Sequence, residues 1–230
     1  MKIKIHRKLG KLARRETYRR GWRRAQRSIF RLPFGPVLAH LDHDRLKQIE
    51  QRYAGEKYAD VDLWLRVNRE RVQDLKLHRA RPQRVLDLGC GGGFFLFILK
   101  RFNHSVLGLD VDESPLFREL IEVFAVPRIA FRIEPFQSLP EFEHRFDWIT
   151  AFSIGFDRDR AKTSRWGVPE WDFLLRDLQS RLAPGGKVYL TVNPLPDGKH
   201  YLTPPLRKFF LGRGADIERE RIFFKRGILL

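Results

Sequence analysis

Val85-Leu86-Asp87-Leu88-Gly89-Cys90-Gly91-Gly92-Gly93 reads as a short apolar strand that ends in a run of glycines, and Phe94 to Phe102 continues it as a helix. Glycines at such a bend permit positive φ and let a ligand lie directly on the backbone. In an open α/β sheet, ligands bind beyond the carboxyl ends of the strands, near the switch point of the topology, and the first strand lies beside that point. Two nucleotide-binding patterns fail here. A dinucleotide fingerprint needs a third glycine at position 94 or 96, where Phe94 and Leu96 stand, and no Lys-Ser or Lys-Thr follows to make a P-loop.

Outward from this bend, strands alternate with helices. Val106-Leu107-Gly108-Leu109-Asp110 is a second strand ending in an acid, seventeen residues after Gly93. Ser114 is placed to cap a helix that opens on Pro115 and runs to about Phe124. Further strands are expected over Arg128–Ile133, Phe146–Phe152, Lys187–Val192 and Ile217–Phe224. Helices are expected over Glu170–Leu182 and Thr203–Leu211. The alternation predicts an α/β fold, doubly wound, with a mostly parallel sheet covered on both faces. Before Pro82 the pattern is helical: a basic arm at 1–36, then a helical segment at 37–80, with the α/β domain at 81–230. Within the arm, Ile5, Leu9, Leu12, Trp22, Ala25 and Ile29 fall at steps suited to an amphipathic helix.

The spacing Asp87-x-Gly89-x-Gly91-x-Gly93 resembles motif I of the class I S-adenosylmethionine (SAM)-dependent methyltransferases. Phe146-Asp147-Trp148-Ile149 is similar to that family's fourth-strand opening, and Leu182-Ala183-Pro184-Gly185-Gly186-Lys187-Val188 to its turn into strand five. Together these cover about half the chain, from Pro82 to Asn193. The resemblance implies a six- or seven-stranded sheet, SAM as cofactor and direct methyl transfer. The family closes its sheet with an antiparallel hairpin; so little chain follows Phe224 that a missing or displaced seventh strand is expected.

On this reading the cofactor lies against Asp87, Gly89, Cys90, Gly91, Gly93, Asp110, Val111, Phe136 and Phe152. Asp87 would attract the cationic amino group. Asp110, at a strand tip, can accept both ribose hydroxyls as a charge-assisted pair, a device shared by NAD-binding folds. Phe136 follows strand three, where the family places its adenine contacts, and is equally suited to stacking there or to the core. Ser153, Arg158, Trp166, Asn193 and Tyr201 are candidates for substrate contact, and Tyr58, Trp64 or Arg69 for ligand contact from the N-terminal helices. His200 and Asp157 are the titratable candidates for a base, but transfer from a sulfonium rests largely on alignment, so the sequence names no catalytic residue.

Several chemistries are disfavoured. Ala151-Phe152-Ser153-Ile154 stands where an Asn/Asp-Pro-Pro-Tyr would mark methylation of an exocyclic amine. Cys90, the single cysteine, lies in the glycine loop, which disfavours a cysteine-adduct mechanism and excludes an internal disulfide. No metal site is expected. A reducing, cytoplasmic setting fits, with no secretory signal and no run near the roughly 18 apolar residues of a membrane span.

The charge is uneven. Residues 1–36 hold thirteen Lys or Arg and one acid, Glu16, so they carry +12 of the net +17. Residues 1–31 therefore suit an anionic membrane surface or RNA. Three functions follow as expectations: O-methylation of a small-molecule or lipid-linked saccharide substrate at the inner face of a membrane, methylation of RNA held by the arm, or non-catalytic binding of SAM or its product.

Overall fold

The computed structural model describes residues 35–39, 41–157, 165–193 and 200–230. The arm helix expected within 1–31 and the candidate Arg158 lie outside these residues.

Seven strands form one sheet: β1 (Arg84–Leu88), β2 (Ser105–Asp110), β3 (Arg128–Ala130), β4 (Phe146–Ile154), β5 (Leu182–Val192), β6 (Asp216–Glu218) and β7 (Arg221–Phe224). Their order is β3-β2-β1-β4-β5-β7-β6. The first five pair in parallel, whereas β7 runs antiparallel to β5 and to β6. Helices α1 (Gly35–Leu38), α2 (His43–Arg52), α3 (Val61–Asp74), α4 (Phe94–Lys100), α5 (Pro115–Phe124), α6 (Val168–Arg181) and α7 (Pro204–Gly212) flank it. The doubly wound, mostly parallel architecture is the one the alternation predicts.

The seventh strand is present, which corrects the expectation that it was missing. The stretch read as one strand, Ile217–Phe224, folds back on itself at Arg219 and Glu220. Arg219 takes φ 55° there, a left-handed turn that the sequence did not announce with a glycine. The third strand is shorter than expected and ends at Ala130.

Burial explains the layers. Four of the five β1 residues are buried, as a central strand covered on both faces requires. Helix α4 is apolar all round because it is wedged between the sheet and α3, with Phe94 to Leu99 all buried. One core joins Leu86, Leu88 and Ile149 to Trp171, Leu174 and Leu178 of α6 and to Phe210 of α7. The other joins Val85, Val106 and Trp148 to the helices before β1 and to α4 and α5. Ser114 caps α5 as expected, its hydroxyl accepting the Phe117 N–H at 3.3 Å. His104 is buried; its Nδ1 accepts the Gln83 N–H at 3.1 Å and its other nitrogen lies 3.0 Å from the Leu77 carbonyl. Among the described residues no helix is long and apolar enough to cross a membrane.

Candidate functional site

β1 ends at Leu88 and the chain turns through Gly89 (φ 66°) and Gly91 (φ 55°) into α4. A Cβ at Gly89 would stand 2.7 Å from Ile154 Cδ1, so both the backbone and the space require glycine there. The next strand supports the bend. Asp110 Oδ2 accepts the Gly91 N–H at 2.5 Å, and Oδ1 accepts the Val111 N–H at 2.7 Å. The Gly89 and Cys90 amides are tied to the Leu109 carbonyl at 2.7 and 3.1 Å.

Above this bend lies a cavity of about 480 Å³, at the carboxyl edge of β1, β2 and β4. Its lining brings together Asp87, Gly89, Cys90, Gly91, Asp110, Val111 and Phe152. Of the residues assigned to the cofactor from sequence, Gly93 and Phe136 lie outside it. Gly93 faces Ile121 and Val126 and serves packing. Phe136 takes φ 58°, which turns it out; it is 56% exposed and packs edge-on against Phe173. Phe131 and Ile133, nearer to β3, form that wall instead.

The helices before the sheet contribute the candidates Tyr58 and Trp64 and three residues that the sequence reading left out, Lys57, Asn68 and Arg71. Lys57, Tyr58, Trp64, Asn68 and Arg71 all line the cavity. Trp64, Asn68 and Arg71 are spaced four and three apart on α3, hence on one face. A polar stripe interrupting the apolar positions Val61, Leu65 and Val72 was the available signal. Asn68 is buried, donates to the Trp64 carbonyl at 2.9 Å and accepts from Arg71 at 2.8 Å. The Arg71 guanidinium also sits 4.4 Å from the centre of the Phe152 ring. Burial holds its pKa below the usual arginine value, partly offset by Asp87. Tyr58, Trp64 and Phe117 form an aromatic rim, with ring centres 4.5 and 5.3 Å from Tyr58. Arg69 is not among the lining residues.

Electrostatics at the floor are unusual. Asp87 is fully buried, and burial pushes its carboxyl up to about 7, opposed by the Thr150 hydrogen bond and by Arg71. Asp110 is also raised by burial, opposed by its two backbone hydrogen bonds. Burial raises the Cys90 thiol as well, with the two carboxylates adding to it, so it is no nucleophile. Two half-satisfied carboxyls and one desolvated guanidinium facing one cavity suit a zwitterionic or cationic ligand.

At the far end β4 carries a register shift between Phe152 and Ile154. Ser153 sits there at φ 60°, and its N–H donates to the Thr191 hydroxyl at 2.8 Å. Such a bulge re-aims side chains at a strand end. Ser153 and Asn193 meet, Asn193 donating to the Ser153 carbonyl at 2.6 Å, and both line the cavity.

The other substrate and base candidates are engaged elsewhere. Trp166 is 2% exposed and packs on Phe156 and Trp171, its indole N–H on the Asp157 carbonyl at 2.9 Å. Tyr201 is buried, its hydroxyl donating to the Phe156 carbonyl at 3.0 Å. Asp157 faces Arg165 at 2.9 Å. His200 holds Glu220 at 2.6 Å, with its side chain 73% exposed. None of these four lines the cavity. Among the described residues no cluster of His, Cys, Asp and Glu could hold a metal.

The residues present fit the cofactor that the glycine-loop resemblance implies. The glycine bend is open to the cavity, and each Asp110 oxygen keeps a lone pair beyond its backbone bond for a ribose hydroxyl. Asp87 and Arg71 offer opposite charges for an amino acid moiety.

Comparison with known proteins agrees with this geometry. Residues 85–186 match the family model described as a methyltransferase domain. The chain is 32% identical over 108 residues to a tRNA U34 carboxymethyltransferase of Campylobacter curvus, covering 46% of this chain and 33% of that protein. It is 31% identical over 124 residues to a ubiquinone biosynthesis O-methyltransferase of Acinetobacter baylyi, covering 52% and 47%. The chain thus spans less than half the length of these relatives. Among solved structures, an O-methyltransferase family protein from Burkholderia thailandensis superposes with a TM-score of 0.49 at 16% identity, covering 84% of this chain and 72% of that one.

Proposed function

We propose that this chain, whose residues 85–186 match the family model described as a methyltransferase domain, is a class I SAM-dependent methyltransferase that methylates oxygen on a small-molecule or lipid-linked acceptor. The observation that carries the reading is the single cavity joining Asp87, the glycine bend and Asp110 at one end to Phe152, Ser153 and Asn193 at the other.

In it, Asp110 would hold the ribose hydroxyls, Asp87 the ammonium and Arg71 the carboxylate of SAM. Phe131 and Ile133 would flank the base. When bound, SAM would supply a methyl already activated on a sulfonium, for which the neutral thioether is the leaving group, and the acceptor's hydroxyl proton would pass to water at the cavity mouth. The chain's part is alignment and exclusion of water, as proximity catalysis requires. The Phe152 ring, held between the Arg71 guanidinium and the Phe95 and Tyr189 rings, fixes the wall beside the transfer path.

Calorimetric titration with SAM and S-adenosylhomocysteine tests the binding half. Turnover of methyl-labelled SAM with cell extract tests the catalytic half. Binding without any labelled product would favour a non-catalytic SAM-binding module instead.

RNA methylation is a second reading, supported by the +12 charge of residues 1–36 and by likeness to the tRNA-modifying relative. Under the first reading residues 1–31 would rest on an anionic membrane surface, placing the protein at the inner face of a membrane. Liposome flotation against an RNA gel shift separates the two, because both are salt-sensitive.

A further inference from the structure

A second cavity, of about 350 Å³, lies against the first and shares Arg71, Phe152 and Ser153 with it. Its floor is Tyr189 and Thr191 of β5, and Arg221 of β7 closes its far side. The placement follows from register. Arg221 pairs with Thr191 across the β5–β7 ladder, and Tyr189 pairs with Phe223. Arg221 therefore shares a sheet face with Phe223, whose ring packs 5.6 Å from Tyr189. The Phe152 and Tyr189 rings lie 5.8 Å apart, so the walls are aromatic.

The lining holds three arginines, Arg71, Arg219 and Arg221, against two carboxylates, Asp74 and Glu220, and both Asp74 and Arg219 have partners. One rim carboxylate, Glu220, is engaged, with one oxygen 2.6 Å from His200 Nδ1 and the other accepting the Leu202 N–H at 3.4 Å. The side chain of the half-buried Arg221 makes no hydrogen bond or ion pair with any described residue. A guanidinium with unused donors beside aromatic walls is suited to a carboxylate or phosphate, which it can bind through two parallel hydrogen bonds. The volume sits at the lower end of the range for small-molecule sites.

We infer that this cavity is the acceptor site, and that the acceptor is a compact molecule with a planar apolar body and an anionic group, a carboxylate or a phosphate, paired with Arg221. The inference rests on the methyltransferase reading above. It makes Arg221 a specificity-determining residue and needs no part of the basic arm.

The test uses the full chain saturated with S-adenosylhomocysteine. Three probes are titrated by calorimetry: 4-hydroxybenzoate, phenyl phosphate and the neutral 4-hydroxybenzyl alcohol. At least one anionic probe should bind about tenfold more tightly than the alcohol, as a charge-assisted pair predicts. Which anion wins names the group. Arg221→Gln should erase the preference while S-adenosylhomocysteine affinity stays within about twofold, and Arg221→Lys should keep part of it. Equal binding of all three probes, or no binding of any, overturns the inference. So does an unchanged preference in Arg221→Gln, or displacement of the anion by a short RNA at lower concentration than by phenyl phosphate. Should S-adenosylhomocysteine itself not bind the wild type, the methyltransferase reading fails separately; the probes are then compared on the unloaded chain.

Discussion

The Thr150 hydroxyl lies 2.6 Å from Asp87 Oδ1 and 3.3 Å from the Leu86 carbonyl, with one hydrogen to serve both acceptors. When Asp87 is ionised, that hydrogen goes to the carboxylate. When Asp87 is protonated, its own O–H can donate to Thr150, which frees the Thr150 hydrogen for Leu86. The Thr150 hydrogen bond is strongest to the ionised carboxylate, so it opposes burial, which disfavours the charge. Burial outweighs that hydrogen bond, and the carboxyl rises to about 7.

SAM binding is therefore expected to depend on pH. Below about 7 the free chain holds Asp87 protonated, and an incoming ammonium favours the ionised form, so binding releases a proton. Affinity should fall as pH drops below about 7, by at most about tenfold per unit. Calorimetry in buffers of different ionisation enthalpy counts the proton. Zero release at pH 6 and flat affinity from 5.5 to 8 would remove Asp87 from the site.

The unliganded fold should show the opposite sign. The native carboxyl holds its proton more tightly than the unfolded one, so stability is fullest below the ordinary carboxylate value near 4. It falls as pH rises from there to about 7. Asp87→Asn should flatten this slope while weakening SAM. Denaturant midpoints from pH 4 to 8 check it. Thr150→Val should move the pH midpoint of SAM binding upward, since the hydroxyl is the first opponent of burial.

Asp110→Ala should cost S-adenosylhomocysteine about 1.5–3 kcal/mol of binding free energy, from charge-assisted hydrogen bonds to the ribose. It also removes the acceptor of the Gly91 and Val111 amides. Asp110→Asn keeps an acceptor for one of them and separates loss of the bend from loss of ribose contact. Unchanged calorimetric affinity in both variants would count against the assigned orientation.

Gly89→Ala should destabilise the chain by about 1–3 kcal/mol, because φ 66° is left-handed and the new methyl would meet Ile154 Cδ1. Adding Ile154→Ala should not restore the wild type but should reduce the penalty of the Gly89 change. A double-mutant cycle in denaturant measures the coupling.

Trp166→Ala should destabilise by about 3–5 kcal/mol, as removal of a fully buried indole does. Below the transition it should leave SAM affinity unchanged, since Trp166 packs on Phe156 and Trp171 and does not line the cofactor cavity. A large affinity loss in the folded variant would return Trp166 to the site.

Local chemistry made much of the chain legible. Strand, glycine bend and helix around Gly89 follow from residues within nine positions of one another, and the Ser114-Pro115 start of α5 from two. Asp87 and Asp110 were readable because a strand tip at a glycine bend places them. Phe136, Trp166 and Tyr201 lie away from the cavity for a reason the sequence does not carry: aromatic residues in loops serve core and ligand equally, and only packing decides between them. The hidden hairpin in Ile217–Phe224 turns on Arg219, a non-glycine residue in a left-handed turn.

The sequence alone determined the order of elements, the parallel sheet and the glycine bend, because backbone propensity and hydrophobic period act over a few residues. The tertiary structure alone decided that Arg71 and Asn68 of α3 line one cavity with Asp87, that the Thr150 hydroxyl donates to that carboxyl, and that Arg221 meets Tyr189 and Thr191. Those pairs lie between sixteen and sixty-three positions apart at their widest and narrowest along the chain. Only packing against a common sheet brings such groups within reach of one another, and burial there sets their charges.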